Sequence, residues 1–105
     1  MVEFDPALGD EIRKIRPTVV ISVVHIGILH VRIIVPLTDW KDRYALRQWM
    51  VHIAPTHSNG LKKESAADCL QCRSVSFERF KRRVGHLAPE TLSDLAEALA
   101  MCIGI

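Results

Sequence analysis

The alternation of apolar and polar positions divides the chain into short extended segments followed by one long amphipathic helix. Residues 18–24 read Thr-Val-Val-Ile-Ser-Val-Val, a β-branched run with the composition of a buried strand. Before it lies a charged loop, residues 4–16, with turn-forming Asp5-Pro6 and Gly9, closed by Pro17. Gly27 marks a turn region, and residues 31–37 form a second strand in which Pro36, unable to donate to a ladder, suggests an edge or terminus. Residues 39–47 are polar with Trp40 and Tyr44 interleaved, and residues 49–53 alternate as a half-exposed strand with Trp49 toward the core. A loop over 55–60 ends in Asn59-Gly60, a strong turn signal. Residues 65–75 read as a strand, and Ser76 as the N-cap of a short helix through Phe80 with Glu78 and Arg79 exposed.

The last element is the clearest. Pro89 suits a first helical position, Glu90 and Asp94 lie near the positive end of the helix, and Gly104 sits just beyond its other end. Leu92, Leu95, Ala96, Leu99 and Ile103 follow the 3.6-residue period on one face. Several short strands and one terminal helix predict a β-rich α+β, barrel-like domain.

Composition narrows this picture without changing it. At 105 residues, 49% hydrophobic and 25% charged, the chain fits a single soluble domain. The N-terminus is acidic (Glu3, Asp5, Asp10) rather than basic and then apolar, and the apolar stretches are far shorter than a membrane span. Cys69, Cys72 and Cys102 are an odd number with no disulfide framework, which suits a reducing compartment and predicts a cytoplasmic protein. The Cys69-x-x-Cys72 pair has no second pair or histidines at zinc-ligand spacing, so these cysteines read as structural. The net charge of +2 is small, but Lys62, Lys63, Arg73, Arg79, Lys81, Arg82 and Arg83 face only Glu64, Asp68 and Glu78 within one stretch. That cluster suits phosphate, and equally a solvated basic surface.

Three segments carry candidate chemistry. In Gly9-x-Glu11-x-x-Lys14-x-Arg16-Pro17, the proline restricts Arg16 to extended geometry, and Glu11 can orient the guanidinium as a carboxylate partner. By itself this also describes a surface ion pair ahead of a strand. In Val35-Pro36-Leu37-Thr38-Asp39-Trp40 a hydroxyl and a carboxylate emerge where a buried strand ends, although Thr38 could equally close a turn. In residues 65–76, Gln71 and Arg73 share a strand face under alternation.

Taken in order, the G-x-E-x-x-K-x-R-P loop, the strand ending P-L-T, the Asn-Gly-Leu turn before S-x-A-D, the Q-x-R-S-V segment and the V-G-x-L-x-P-E-T-L helix opening resemble the MazF/PemK family of toxin endoribonucleases. The resemblance implies an SH3-like antiparallel β-barrel with a C-terminal helix, acting as a homodimer that takes single-stranded RNA in a groove and is blocked by a cognate antitoxin. It implies no metal and no cofactor, and places Arg16, Thr38 and Glu11 as catalytic residues. Lys14, Asp39, Trp40, Gln71 and Arg73 fall in the RNA-binding region, and operator DNA is a further partner through the antitoxin complex. Two other readings stand beside it: a relative that only binds antitoxin and operator DNA, and a topoisomerase-poisoning toxin on the same barrel.

Three positions depart from the family pattern. Only Met1–Phe4 stand for the usual G-D-[IV]-W opening strand, which is therefore expected to be short. Asp39 stands where many members have a second hydroxyl, setting a negative charge beside the scissile phosphate. Leu70 stands where many have Asp, so a carboxylate base there would have to be replaced by Asp68 or Glu11. The five histidines, His25, His30, His52, His57 and His86, belong to none of these motifs and read as structural or surface residues.

Overall fold

The computed structural model describes residues 2–3, 15–21, 31–76, 79–80 and 83–105, with backbone placement alone for 2–3 and 15–16. Seven strands and one α-helix are described in that part of the chain. They are β1 (Val2–Glu3), β2 (Ile15–Arg16), β3 (Thr18–Val20), β4 (Val31–Asp39), β5 (Met50–Ile53), β6 (Ser65–Asp68), β7 (Arg73–Ser76) and α1 (Pro89–Cys102). Every pairing is antiparallel. β1 and β2 form a two-stranded ribbon, and the remaining strands form a five-stranded sheet in the order β3-β4-β6-β5, with β7 also on β4. The β-rich α+β class is as expected, but among the described residues the sheet does not close into a barrel.

β4 organises the molecule. It runs two residues past the expected end and has ladder partners on both edges. Along one edge lies β3; along the other, β7 pairs with residues 31–34 and β6 with residues 37–39. Pro36 therefore sits mid-strand rather than at an end. Ile33 accepts from the amide of Ile21 and Leu37 donates to Pro17, so the odd-numbered residues of β4 bond toward β3. The missing N–H of Pro36 falls on the other edge, at the step where β7 hands over to β6. That is the one place along this edge where a donor is not needed.

Both faces of β4 are covered, which is why its sequence reads as nearly continuous apolar chain. Val35 and Leu37 join Val19, Ile53, Ala67 and Cys69 under Leu95 and Ala98 of the helix. Ile34, on the opposite face, packs with Val75 and Phe80. Trp49 packs against the first cluster, as expected. The helix has the expected bounds, with Pro89 in its first turn and Gly104 in the left-handed region at φ 79°. Its buried stripe is rotated from the expected one: Leu95, Ala98, Leu99 and Cys102 touch the core, while Ala96 is exposed and Ile103 is 70% exposed. Small Ala98 and Cys102 let the helix approach closely, and a large-residue pattern does not reveal that.

Two further expectations need correction. The strand expected over 65–75 is broken by a 3-10 turn at Cys69–Gln71, because the Asp68 carboxylate accepts the amide of Leu70 at 3.2 Å. Ser76 ends β7, and Arg79 is half-buried where exposure was expected; residues 77–78 of the expected short helix lie outside the described residues.

The three thiols converge where this turn meets the helix. Burial first, then Cys102, Asp68 and Cys72, pushes the Cys69 thiol from 9.0 up to about 11. Burial and then Cys102 raise Cys72 as well. A thiol whose folded value is raised stabilises the fold fully below its unfolded value, and that contribution is lost as pH rises through the folded one. Urea midpoints are therefore expected to decline between pH 9.0 and about 11. A Cys69→Ala variant should decline less steeply, and equal slopes would contradict this account.

Candidate active site

The register around β4 brings the residues singled out by motif into one region. Thr18 opposes Pro36, Val19 opposes Val35 and Val20 opposes Ile34. The amide of Leu37 donates to Pro17 at 3.2 Å, which carries the same register one residue beyond β3. Arg16 is the last residue of β2, which lies against β4 and is held on its other side by Val2 of β1. The expected loop over 4–16 thus ends in strand, and the backbone of Arg16 is fixed from two sides. Lys14 and Glu11 lie outside the described residues.

On its other edge Thr38 opposes Ala66, and Ala66 in turn opposes His52 of β5. Directly paired residues project to the same face of a sheet. Half-buried Thr38, buried Ala66 and exposed His52 therefore form one row. The next row continues the same face. The amide of Trp40 donates to the carbonyl of Glu64 at 3.1 Å, and the Trp40 ring lies 4.5 Å from the His52 imidazole, centroid to centroid. Glu64 Oε2 lies 2.5 Å from His52 Nε2. Behind Trp40, Tyr44 packs edge-on at 6.0 Å, with the guanidinium groups of Arg43 and Arg47 at 5.4 and 5.2 Å from its ring centroid. Arg43 and Tyr44 stand on the 3-10 turn Asp42–Leu46 and Arg47 caps its end, so the stretch read as polar chain with interleaved aromatics is a short ordered shelf.

The other site candidates separate. Asp39 opposes Ser65 on the face away from Thr38, and its carboxylate meets Lys63 Nζ at 3.0 Å. The charge feared beside a phosphate is thus turned aside and matched by a cation. Arg73 opposes Ile34 and so shares the Thr38 face of β4, half-buried two alternate positions away. Gln71 is exposed in the 3-10 turn, so Gln71 and Arg73 do not share one strand face as the alternation suggested. Asp68 is on the Thr38 face through its pairing with Met50, with one carboxylate oxygen occupied by the Leu70 amide.

Two residues on this face escaped sequence reasoning, His52 and Glu64. They are twelve positions apart and meet only because β5 and β6 pair in this register. Nothing in a local motif encodes that. Among the described residues, no group of three histidine, cysteine or acidic side chains is placed to hold a metal ion. No helix among them is long and apolar enough to cross a membrane.

Comparison with known proteins agrees with the geometry. A family model described as "PemK-like, MazF-like toxin of type II toxin-antitoxin system" matches residues 1–103. Endoribonuclease MazF9 of Mycobacterium tuberculosis is 30% identical over 106 aligned positions, covering 95% of this chain and 87% of the relative. Crystalline MazF of Deinococcus radiodurans superposes with a TM-score of 0.76 at 21% identity, over 99% of this chain and 90% of that one. Toxin MazF-mt6 of Mycobacterium tuberculosis superposes with a TM-score of 0.72 at 21% identity, over 86% and 87% of the two chains. A MazE–MazF structure from Deinococcus radiodurans gives a TM-score of 0.69 at 21% identity, over 86% and 82%. At these identities the structural matches speak for the fold.

Proposed function

The chain belongs to the PemK-like, MazF-like toxin family of type II toxin–antitoxin systems, and from that premise we propose that it cleaves single-stranded RNA without a metal, at a site built on Arg16 and Thr38. RNA brings its own nucleophile, the 2′-hydroxyl, so the protein needs a base, a proton source for the leaving oxygen and a stabiliser for the crowded phosphate. Arg16 is the stabiliser. Its planar guanidinium matches two phosphate oxygens and keeps its charge throughout the reaction. Thr38 donates its hydroxyl to a phosphoryl oxygen and fixes the reactive pose. Glu11 orients Arg16, and Lys14, Trp40, Gln71 and Arg73 hold the strand on either side. Asp39, on the opposite face of β4, is held in its ion pair with Lys63 and does not face the phosphate.

The observation that supports this reading is the register of β3 on β4, continued by the Leu37–Pro17 hydrogen bond, which brings β2, ending in Arg16, against β4, the strand that carries Thr38. Two motif residues separated by more than twenty positions thus stand on adjoining strands. The name of the MazF9 relative, an endoribonuclease, supports the activity. MazE–MazF assemblies among proteins of this fold support a cognate antitoxin as the partner that silences it. The toxin acts as a homodimer in the cytoplasm, and reaches operator DNA through the antitoxin complex.

The test is cleavage of a long single-stranded RNA by the purified protein in EDTA. Fragments ending in 2′,3′-cyclic phosphate and 5′-hydroxyl groups are expected. A folded dimer that leaves the RNA intact would sink the enzyme reading and leave a toxin that works by binding.

A further inference from the structure

The proposed reaction lacks a base, and the structure offers one that no motif marks. We infer that His52, oriented by Glu64 and pinned by Trp40, takes the proton from the attacking 2′-hydroxyl. This inference rests on the RNA-cleavage reading and adds a residue to it.

A row of paired residues runs from Thr38 through Ala66 to His52. Neighbouring strands are about 4.8 Å apart, so Thr38 and His52 face each other across about 10 Å. Ala66 lies between them and is wholly buried, with the Trp40 and His52 rings meeting across its strand. A phosphate held at the Thr38 end lies on the same face as the imidazole, and its 5′-side ribose reaches His52 along that face.

His52 is also prepared for the task. Its Nε2 meets the Glu64 carboxylate at 2.5 Å, the arrangement in which a neutral imidazole donates Nε2–H and presents the Nδ1 lone pair. A base oriented by a third group is the general pattern of an activated nucleophile. The Trp40 ring, 4.5 Å away, restricts the remaining rotation. Asp68, the other carboxylate on this face, has one oxygen committed to the Leu70 amide and no orienting partner of this kind among the described residues.

The step balances without any co-reactant. Nδ1 of His52 takes the 2′-hydroxyl proton as that oxygen bonds to phosphorus. The bond from phosphorus to the 5′-oxygen breaks, the leaving oxygen takes a proton from water, and the imidazolium returns its proton to solvent. The products are a 2′,3′-cyclic phosphate and a 5′-hydroxyl. The charged groups that face His52 are Glu64 directly and, behind Trp40 and Tyr44, Arg43 and Arg47. Asp39 and Lys63 neutralise each other on the far face.

The experiment is single-turnover cleavage of RNA across the neutral pH range by wild type, His52→Ala, His52→Gln and Glu64→Gln. The His52 side chain is 47% exposed, so these variants are expected to fold, which circular dichroism checks. His52→Ala should lose about 100-fold in rate and the rise of rate with pH, and added imidazole should restore part of both. Glu64→Gln should lower the rate less and displace the pH profile, with KM unchanged. Wild-type rates and an unchanged profile in both His52 variants would overturn the inference while leaving the ribonuclease reading intact. Absence of cleavage by wild type would overturn both.

Discussion

Replacing Arg16 by alanine is expected to lower RNA cleavage by about 10³-fold, about 4 kcal/mol of transition-state stabilisation. The loss should fall on the chemical step rather than on substrate affinity, because Lys14, Trp40 and Arg73 remain to hold the strand. Arg16→Lys should recover only part of it, since an ammonium keeps the charge but not the bidentate fork. Thr38→Val keeps shape and β-propensity while removing the hydroxyl, and is expected to cost less. Arg16 and Thr38 stand on adjoining strands and are proposed to grip one phosphate, so their effects should not add: the double variant should lose clearly less than the two single losses combined. Single-turnover assays on one defined RNA measure all three variants. Full activity in Arg16→Ala would remove the phosphate stabiliser from the mechanism, and strict additivity would mean that the two side chains do not grip one phosphate.

Strand order along the chain and the terminal helix were legible in the sequence because they rest on local signals. Residues 18–20 are β-branched, Asn59-Gly60 turns, Pro89 opens a helix and Gly104 follows its end. What the pattern missed depends on long-range partners. Pro36 suggested an edge, yet its missing donor is harmless at a handover between β7 and β6 that only the folded sheet reveals. The 3-10 turn at Cys69–Gln71 arises from one side-chain acceptor on Asp68, which is too local a competition for strand periodicity to show. The helix stripe came out rotated because Ala98 and Cys102 are small rather than strongly apolar.

The site divides along the same line. Motif order singled out Arg16 and Thr38, and the fold brings their strands, β2 and β4, together. It did not single out His52, because a histidine alternating in a half-exposed strand looks like any surface residue until Ala66 and Glu64 are set beside it. Asp39 shows the converse. The sequence puts it next to Thr38, and for that reason the pleat of the strand points it the other way.

Gly85→Ala is expected to be a strongly damaging small substitution for stability, costing about 3 kcal/mol or more. A Cβ at this position would lie 2.4 Å from the carbonyl oxygen of Ser58 and 2.6 Å from the carbonyl carbon of Asn59, both backbone atoms with little freedom to yield. The amide of His86 donates to that same Ser58 carbonyl at 3.0 Å, so relieving the clash would also strain a hydrogen bond. The facing turn is itself rigid. Buried Asn59 accepts the amides of Thr56 and Leu61 at 3.0 and 2.9 Å and donates to the carbonyl of Ala54 at 2.9 Å. Gly60 stands at φ 67°, with Val84 O only 2.3 Å from where a Cβ would be. The Asn-Gly-Leu and Val-Gly segments, far apart in sequence, are thus two halves of one interlock. A fall in Tm of more than about 10 °C is expected for Gly85→Ala. Gly104→Ala separates the causes, because Gly104 has φ 79° but nothing near its missing Cβ, and should cost only about 1 kcal/mol. Equal Tm values for wild type and Gly85→Ala would show that the two segments separate without cost. The interlock also bears on activity, since residues 54–64 join β5, which carries His52, to the chain that carries Glu64. A variant loosened there but still folded should lose cleavage through the His52–Glu64 pair before it loses the core under the helix.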